Sequence, residues 1–435
     1  MRDRMTGEAA SIHEARDPAN EESVAARPLR VAMFVNEFPA LSETFVLNQI
    51  TGLLDLGHEV TILATQPRVE KGIHADVMRY ALGERLRYRN MPAPRTARLA
   101  LLPSVFRRDD KRPISLRALN PLRYGREASS LSLLHWAESL SSCAPFDVIH
   151  CHFGIVGQTA AYLREIGALQ GRLVTTFHGV DMSACLDRDP DIYRHLFTNG
   201  DLFLPVSDHW RDKLVAHGCD PARIEVHRMG IDPSRFPLTS RKGSGRDLKL
   251  LTIGRLVEKK GVEYALRAVA NLINKGTALS YEIIGDGSLK PQLEALANDL
   301  GIAEHVRFRG SMVQKDVVRA MQSGDVLLAP SVTDTTGDQE GIPVTIMEAM
   351  ATGMPVVSSW HSGIPELVDD KVSGLLVRER DVDGIAAAIG ALAASADERT
   401  RMGIAARSKI IADYNIDKLN RELETRYRSV LPGIL

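Results

Sequence analysis

Short continuous apolar runs, mostly separated by helix-length segments, recur along this sequence in two separate series. The first comprises "LRVAMFV" (29–35), "HEVTILAT" (58–65), "FDVIHCHFG" (146–154), "LVTTFHG" (173–179), "DLFLPVS" (201–207) and "IEVHRMG" (224–230). The second comprises "LKLLTIG" (248–254), "SYEIIGDG" (280–287), "HVRFRG" (305–310), "DVLLAPS" (325–331), "MPVVSS" (354–359) and "SGLLV" (373–377). Apolar runs without alternation belong to strands covered on both faces, as in parallel sheets. Between the first two runs, Phe45, Val46, Ile50, Leu53 and Leu54 recur at helical spacing until Gly57 stops them. At 435 residues the chain exceeds one ordinary core. The expected fold is therefore α/β, with two doubly wound, Rossmann-like domains facing each other across a cleft.

The Pro, Gly and Ser content of 231–247 marks a linker between a first domain (28–230) and a second (248–412). Residues 413–435 are expected to form a C-terminal helix that packs back on the first domain. Open sheets of this kind bind ligands beyond the carboxyl ends of their strands. Asn36 to Ser42, His152, His178, Arg255, Asp286 and the loop 331–343 all follow predicted strands.

Composition narrows the classes. A formal charge of −1 argues against a dedicated nucleic-acid binder. The four cysteines share no C-x-x-C pairing or repeated spacing, which suits reduced thiols in a cytoplasmic protein. Residues 1–27 mix charges of both signs without the apolar block of a secretory signal and read as a disordered tail. "GIAAAIGALAAS" is too short and alanine-rich to cross a bilayer. Residues 85–126 break the rhythm: twelve Lys or Arg against two acidic residues, a balance of +10, punctuated by Leu99, Leu101, Leu102, Val105 and Phe106. Two readings of this basic insertion stand side by side: contact with anionic headgroups at the inner face of the plasma membrane, or a solvated excursion.

The stretch "DQEGIPVTIMEAMATGMPVV" (338–357) carries two carboxylates, Glu340 and Glu348, around a Gly and a Pro. Pro343 suits the first turn of a helix, having no N–H to leave unpaired. A helix N-terminus after a strand meets anions with free amides and partial positive charge. The two carboxylates are about 10 Å apart at helical rise, too far for a shared proton or a metal. That spacing suits hydroxyls at two points of one elongated ligand.

This E-x7-E pattern, followed by "AMATGMPVV" and "SGIPELV", resembles the donor-site signature of retaining glycosyltransferases of family 4, which have the GT-B fold. "GRLVEKKGVEYAL" (254–266), "IIGDGSL" (283–289), "VSDHWRDKL" (206–214) and "MGIDPSRFP" (229–237) agree with it, and the resemblance covers nearly all of 28–425. "NEFPALSETFVLNQI" and "EGIPVTIMEAM" look most like the exopolysaccharide branch, colanic-acid-type transferases included. The resemblance implies a hexosyltransferase that takes sugar from a UDP- or GDP-sugar, retains its anomeric configuration and needs no metal or other cofactor. Its acceptor would be a glycan or glycolipid, here a lipid-linked oligosaccharide of a cell-surface polymer.

The resemblance also assigns roles. Arg255 and Lys260 match the basic pair on the donor diphosphate, Glu348 the carboxylate on the ribose, and Glu340 the carboxylate facing the donor sugar. The backbone of Gly341, Ile342, Pro343 and Val344 would hold phosphate or sugar oxygens. Gly254, Gly285, Gly310 and Met312 would line the nucleotide. His178 in "TFHGVD" matches the histidine near the anomeric carbon, with Asp181 supporting its loop and His152 lining the cleft. Taken alone, a histidine after a strand is more often packed than catalytic; the surrounding motif decides for the site. The first loop departs from the paired-glycine turn of many relatives. Here Ser42 would cap a helix while the amides of Glu43 and Thr44 face phosphate.

Competing patterns are weaker. "DRD" (187–189) follows no predicted strand, "GDG" (285–287) lacks a dinucleotide-fold run, and His150 with His152 has no cluster to complete a zinc set. An inactive GT-B scaffold would have no need for His178, Arg255, Lys260, Glu340 and Glu348 together. A nucleotide-sugar epimerase would act on donor alone, so a donor-only incubation separates it from a transferase.

Overall fold

The computed structural model describes residues 27–39, 44–68, 74–103, 112–239 and 247–432. Two six-stranded sheets organise them. The first runs β3-β2-β1-β4-β5-β6, with β1 Arg30–Phe38, β2 Glu59–Pro67, β3 Leu86–Tyr88, β4 Val148–His152, β5 Arg172–Phe177 and β6 Leu202–Pro205. The second runs β12-β11-β10-β7-β8-β9, with β7 Leu248–Ile253, β8 Leu279–Ile284, β9 Val306–Gly310, β10 Val326–Ala329, β11 Val356–Ser359 and β12 Gly374–Val377. Every strand pair is parallel, and both sheets change direction beside their first strand, at β1/β4 and β7/β10. Those two switch points are where doubly wound sheets open a crevice for ligand.

β1 shows why an apolar run becomes a central strand. Residues 31 to 35 have no exposed surface, and alternate side chains serve opposite faces. Val31, Met33 and Val35 pack with Ile50 and Leu53 of the helix Thr44–Asp55, whereas Phe34 sets its ring 4.7 Å from that of Trp136. The last helix, Ile416–Ser429, contributes Leu423 and Tyr427 to the same cluster as Val31 and Met33, so the chain's end lies against its first sheet. The crossing segments pair with each other: Ile231 N donates to Tyr414 O (3.0 Å) and Ile416 N to Ile231 O (2.9 Å).

Three expectations require correction. Residues 224–230 form no strand. Glu225 N and His227 N donate to Phe203 O and Pro205 O (3.0 Å each), yet only Ile224 bridges β6 before the chain leaves for the second domain. The basic insertion is not simply an excursion: Leu86–Tyr88 is an edge strand, and Tyr124 and Ala128 are buried. Several of its cations are used internally, Arg89 on Ser132 Oγ (2.9 Å) and Arg98 on Pro92 O (2.8 Å). Finally, Pro343 is the N-cap, with ψ of 116°, and the helix begins one residue later as Val344–Ala351.

Candidate active site

On the first-domain side, β4 and β5 end in a row of buried imidazoles. His150 Nδ1 lies 2.6 Å from Tyr427 Oη and its Nε2 2.7 Å from Thr176 Oγ1. His152 stacks on His150 at 4.7 Å between ring centroids, and its Nδ1 meets His178 Nε2 at 3.0 Å. Phe45 and Phe153 hold the His178 ring at 4.5 and 4.6 Å. Burial pushes His178 and His150 down to about 3 and His152 well below its ordinary range, so the row is neutral at physiological pH. His152 Nε2 and His178 Nδ1 are buried with no hydrogen-bond partner among the described residues.

Asp181 is the bracket of this loop. Its carboxylate accepts from the backbone amides of Gly154 (3.0 Å), His178 (3.1 Å) and Gly179 (2.9 Å). Burial raises its pKa against those bonds, which lower it. Of the first loop, Ser42 and Glu43 lie outside the described residues, whereas Thr44 opens the helix Thr44–Asp55.

The second-domain side is ionic. Arg255 follows β7, is exposed, and pairs with no carboxylate among the described residues. Lys260, at the end of the turn Glu258–Lys260, places Nζ 3.0 Å from Glu340 Oε1. Glu340 is 7% exposed; burial alone would raise its pKa, but the ammonium groups of Lys260 and Lys259 outweigh that and hold it below the usual carboxylate range. Lys259 itself pairs with Asp338 at 2.8 Å.

Glu348 receives a hydrogen bond from Gln314 Nε2 (3.1 Å), while burial pushes its carboxyl up to about 7. It lines a cavity of ≈ 380 Å³ together with Thr44, Asn48, Arg235, Gln314 and Val344, within the size range of small-molecule sites. Gly254 lies beside Lys260, and Gly285 lies against Gly254 with no room for a side chain: a Cβ there would sit 1.8 Å from Gly254 O. Gly285 N donates to Gly310 O (2.9 Å), and Met312 packs half-buried nearby in sequence.

The two sides touch. A Cβ at Gly341 would lie 1.9 Å from His178 O, so backbone meets backbone across the seam. Ser183 Oγ donates to Asp338 Oδ1 (3.3 Å) and accepts from Gln339 N (3.2 Å). The loop 330–343 thus delivers Glu340 and Gly341 next to the His178 loop, with Ile342 and Pro343 buried behind them. Sequence reasoning missed Lys259, Asp338, Ser183 and Gln314, and also His361, which accepts from Glu340 N (3.1 Å). Among the described residues no group of three or more His, Cys, Asp or Glu is placed to hold a metal ion.

Two doubly wound domains with ionic and imidazole walls meeting at their strand ends define a GT-B-type, two-domain α/β enzyme. Residues 42–235 match the glycosyltransferase family 4 domain and 239–409 the glycosyl transferases group 1 domain. The chain belongs to this glycosyltransferase family. It is 39% identical over 406 residues to the putative colanic acid biosynthesis glycosyltransferase WcaL of Salmonella typhimurium, covering 92% of this chain and 100% of that one. It is 38% identical to the amylovoran biosynthesis glycosyltransferase AmsK of Erwinia amylovora, covering 91% and 98%. Among solved structures, Anabaena Alr3699/HepE in complex with UDP and glucose superposes with a TM-score of 0.68 at 15% identity, covering 92% of this chain and 100% of that one.

Proposed function

We propose that this protein transfers a hexose, with retention of configuration, from a UDP- or GDP-sugar to a hydroxyl of a lipid-linked oligosaccharide in exopolysaccharide synthesis. The observation that carries the reading is the Lys260–Glu340 pair at 3.0 Å, on the loop that leads into the Glu348 helix. Lys260 and Arg255 face the donor diphosphate and stabilise the charge that grows as the anomeric C–O bond breaks. The acceptor hydroxyl attacks from the same face, forming the glycosidic bond, and its proton passes to the departing diphosphate oxygen. Glu340 orients the sugar hydroxyls, Glu348 the ribose, and His178 borders the anomeric carbon. No metal enters these steps. Support for the polymer class comes from the likeness to WcaL and AmsK, glycosyltransferases of colanic acid and amylovoran biosynthesis, and for a nucleotide from the UDP complex of HepE.

Exposed Leu99, Leu116 and Leu122, set among exposed Arg95, Arg117 and Arg126, support contact with an anionic membrane surface during acceptor capture. Vesicles containing phosphatidylglycerol should bind the protein and release it as salt rises; equal binding to neutral vesicles would refute this contact. No described helix is long and apolar enough to cross a membrane.

The principal test is thermal-shift titration with UDP, GDP, ADP and their sugars, beside Glu348→Ala. One nucleotide at a hundred times its Kd should add about 2.7 kcal/mol of stability, lost in the variant. No shift with any nucleotide, in the presence of acceptor lipid, would overturn the donor assignment.

A further inference from the structure

Both backbone polar atoms of Glu340 are held by consecutive residues that follow β11. Its N–H donates to His361 Nε2 (3.1 Å), and its carbonyl accepts from Ser362 Oγ. Ser362 sits at φ +50°, a left-handed conformation that a residue other than glycine adopts only when its surroundings impose it. Because His361 Nε2 accepts, its proton lies on Nδ1, which meets Glu379 Oε1 at 2.6 Å. The other oxygen of Glu379 accepts from Thr333 N (2.9 Å), near the opposite end of the same loop. Burial would raise the pKa of Glu379; the hydrogen bonds from His361 and Thr333 hold it lower. His361 is 1% exposed. A carboxylate from the turn after β12 thus fixes an imidazole, and the imidazole fixes the peptide carrying Glu340.

We infer that His361 and Glu379 are positioning residues for Glu340: the pair sets one tautomer of His361, and that tautomer aims the Glu340 carboxylate toward Lys260 and the donor sugar. This rests on the role proposed above for Glu340. A plain structural clamp would need only to keep the loop folded. The arrangement seen here joins both ends of the loop through one proton whose location decides whether Glu340 N–H has an acceptor. Any side chain lacking an acceptor at the Nε2 position frees that N–H, and the carboxylate moves with its peptide.

The full chain serves for the test, with kcat, donor KM and nucleotide Kd measured for Glu340→Gln, His361→Leu, His361→Gln and Glu379→Ala. The expected result is a fall in kcat of about 10²-fold for His361→Leu, the loss typical of a misplacement near 1 Å. Nucleotide Kd should stay unchanged, since Glu348 and Arg255 are untouched. His361→Gln, which restores an acceptor toward Glu340 N–H, should recover most of the loss. If Glu340→Gln collapses turnover while His361→Leu keeps it, the inference is overturned and the proposed function stands. If Glu340→Gln turns over normally, the assigned role of Glu340 fails and the inference with it. Should His361→Leu lower stability and kcat alike with no recovery in His361→Gln, the pair is only a fold element and the inference falls. Histidine 15N NMR gives a readout apart from activity: His361 should be the neutral Nδ1–H form in the parent chain, and a mixture of tautomers in Glu379→Ala. A tautomer unchanged by Glu379→Ala would likewise overturn it.

Discussion

The two walls of the cleft are built from opposite materials. The first domain offers neutral, stacked and buried imidazoles at His150, His152 and His178; the second offers compensated charge at Lys259–Asp338 and Lys260–Glu340. A neutral wall can be sealed by Phe45 and Phe153 without leaving an ion stranded. An ionic wall stays partly open, as exposed Arg255 does, and on the proposed function it would exchange internal partners for those of an anionic ligand. The difference suggests a division of labour in which shape comes from one side and transition-state charge from the other.

The largest expected effect tests that division directly. Lys260→Ala should cut turnover by about 10²–10³-fold, the scale of removing one electrostatic stabiliser, while circular dichroism remains that of the parent. Turnover near the parent value would place the charge stabilisation elsewhere.

Acid should separate the walls next. His150 and His178 have folded pKa values near 3 against an ordinary 6.5, so below 6.5 the unfolded chain binds more protons. Stability present at neutral pH is lost as pH falls from 6.5 toward 3, on the order of 2 kcal/mol per histidine by about pH 5. Denaturant titrations at pH 7 and 5 measure this, and His150→Phe should flatten the slope. Glu340, whose pKa is held below 4.5, loses its contribution only at lower pH, so the ionic wall should outlast the neutral one.

Glu348 runs the other way. Its carboxyl is raised to about 7, so its folded form is favoured below the ordinary value of 4.5 and that advantage disappears as pH rises through 7. Glu348→Gln should therefore raise the melting temperature at pH 8 more than at pH 5 while weakening nucleotide binding. The smallest effect concerns the junction. Glu366 of the second domain accepts from Asp208 N (3.0 Å) and His209 N (3.1 Å) and pairs with Arg228, capping a first-domain helix. Glu366→Gln should cost about 1 kcal/mol by denaturant unfolding, with kcat little changed.

Strands covered on both faces were legible because burial leaves a continuous apolar run, as in residues 31 to 35. β3 was not, since three residues with an arginine at their centre carry no such run. At the site, Glu340, Glu348, Arg255 and Lys260 stood out through motifs of ordered spacing. His361 with Glu379, Gln314 with Glu348 and Ser183 with Asp338 join residues 18, 34 and 155 positions apart. Such pairs have no period and come together only through the crossing of separate elements. His152 and His178 were both legible as cleft residues, but their contact at 3.0 Å follows only from β4 and β5 lying side by side.

The bond between His150 and Tyr427 also orders events in time. Its partners are 277 residues apart, and everything of the second domain is made between them. At about 5–20 residues per second, the buried face of the first sheet waits roughly 15–55 s on the ribosome for its last helix. During that interval the first domain is an unfinished surface, with His150 and the outer side of the helix Thr44–Asp55 lacking the cover that Tyr427 and the last helix will supply. A nascent chain of this kind invites a chaperone at its beginning because of a residue near its end.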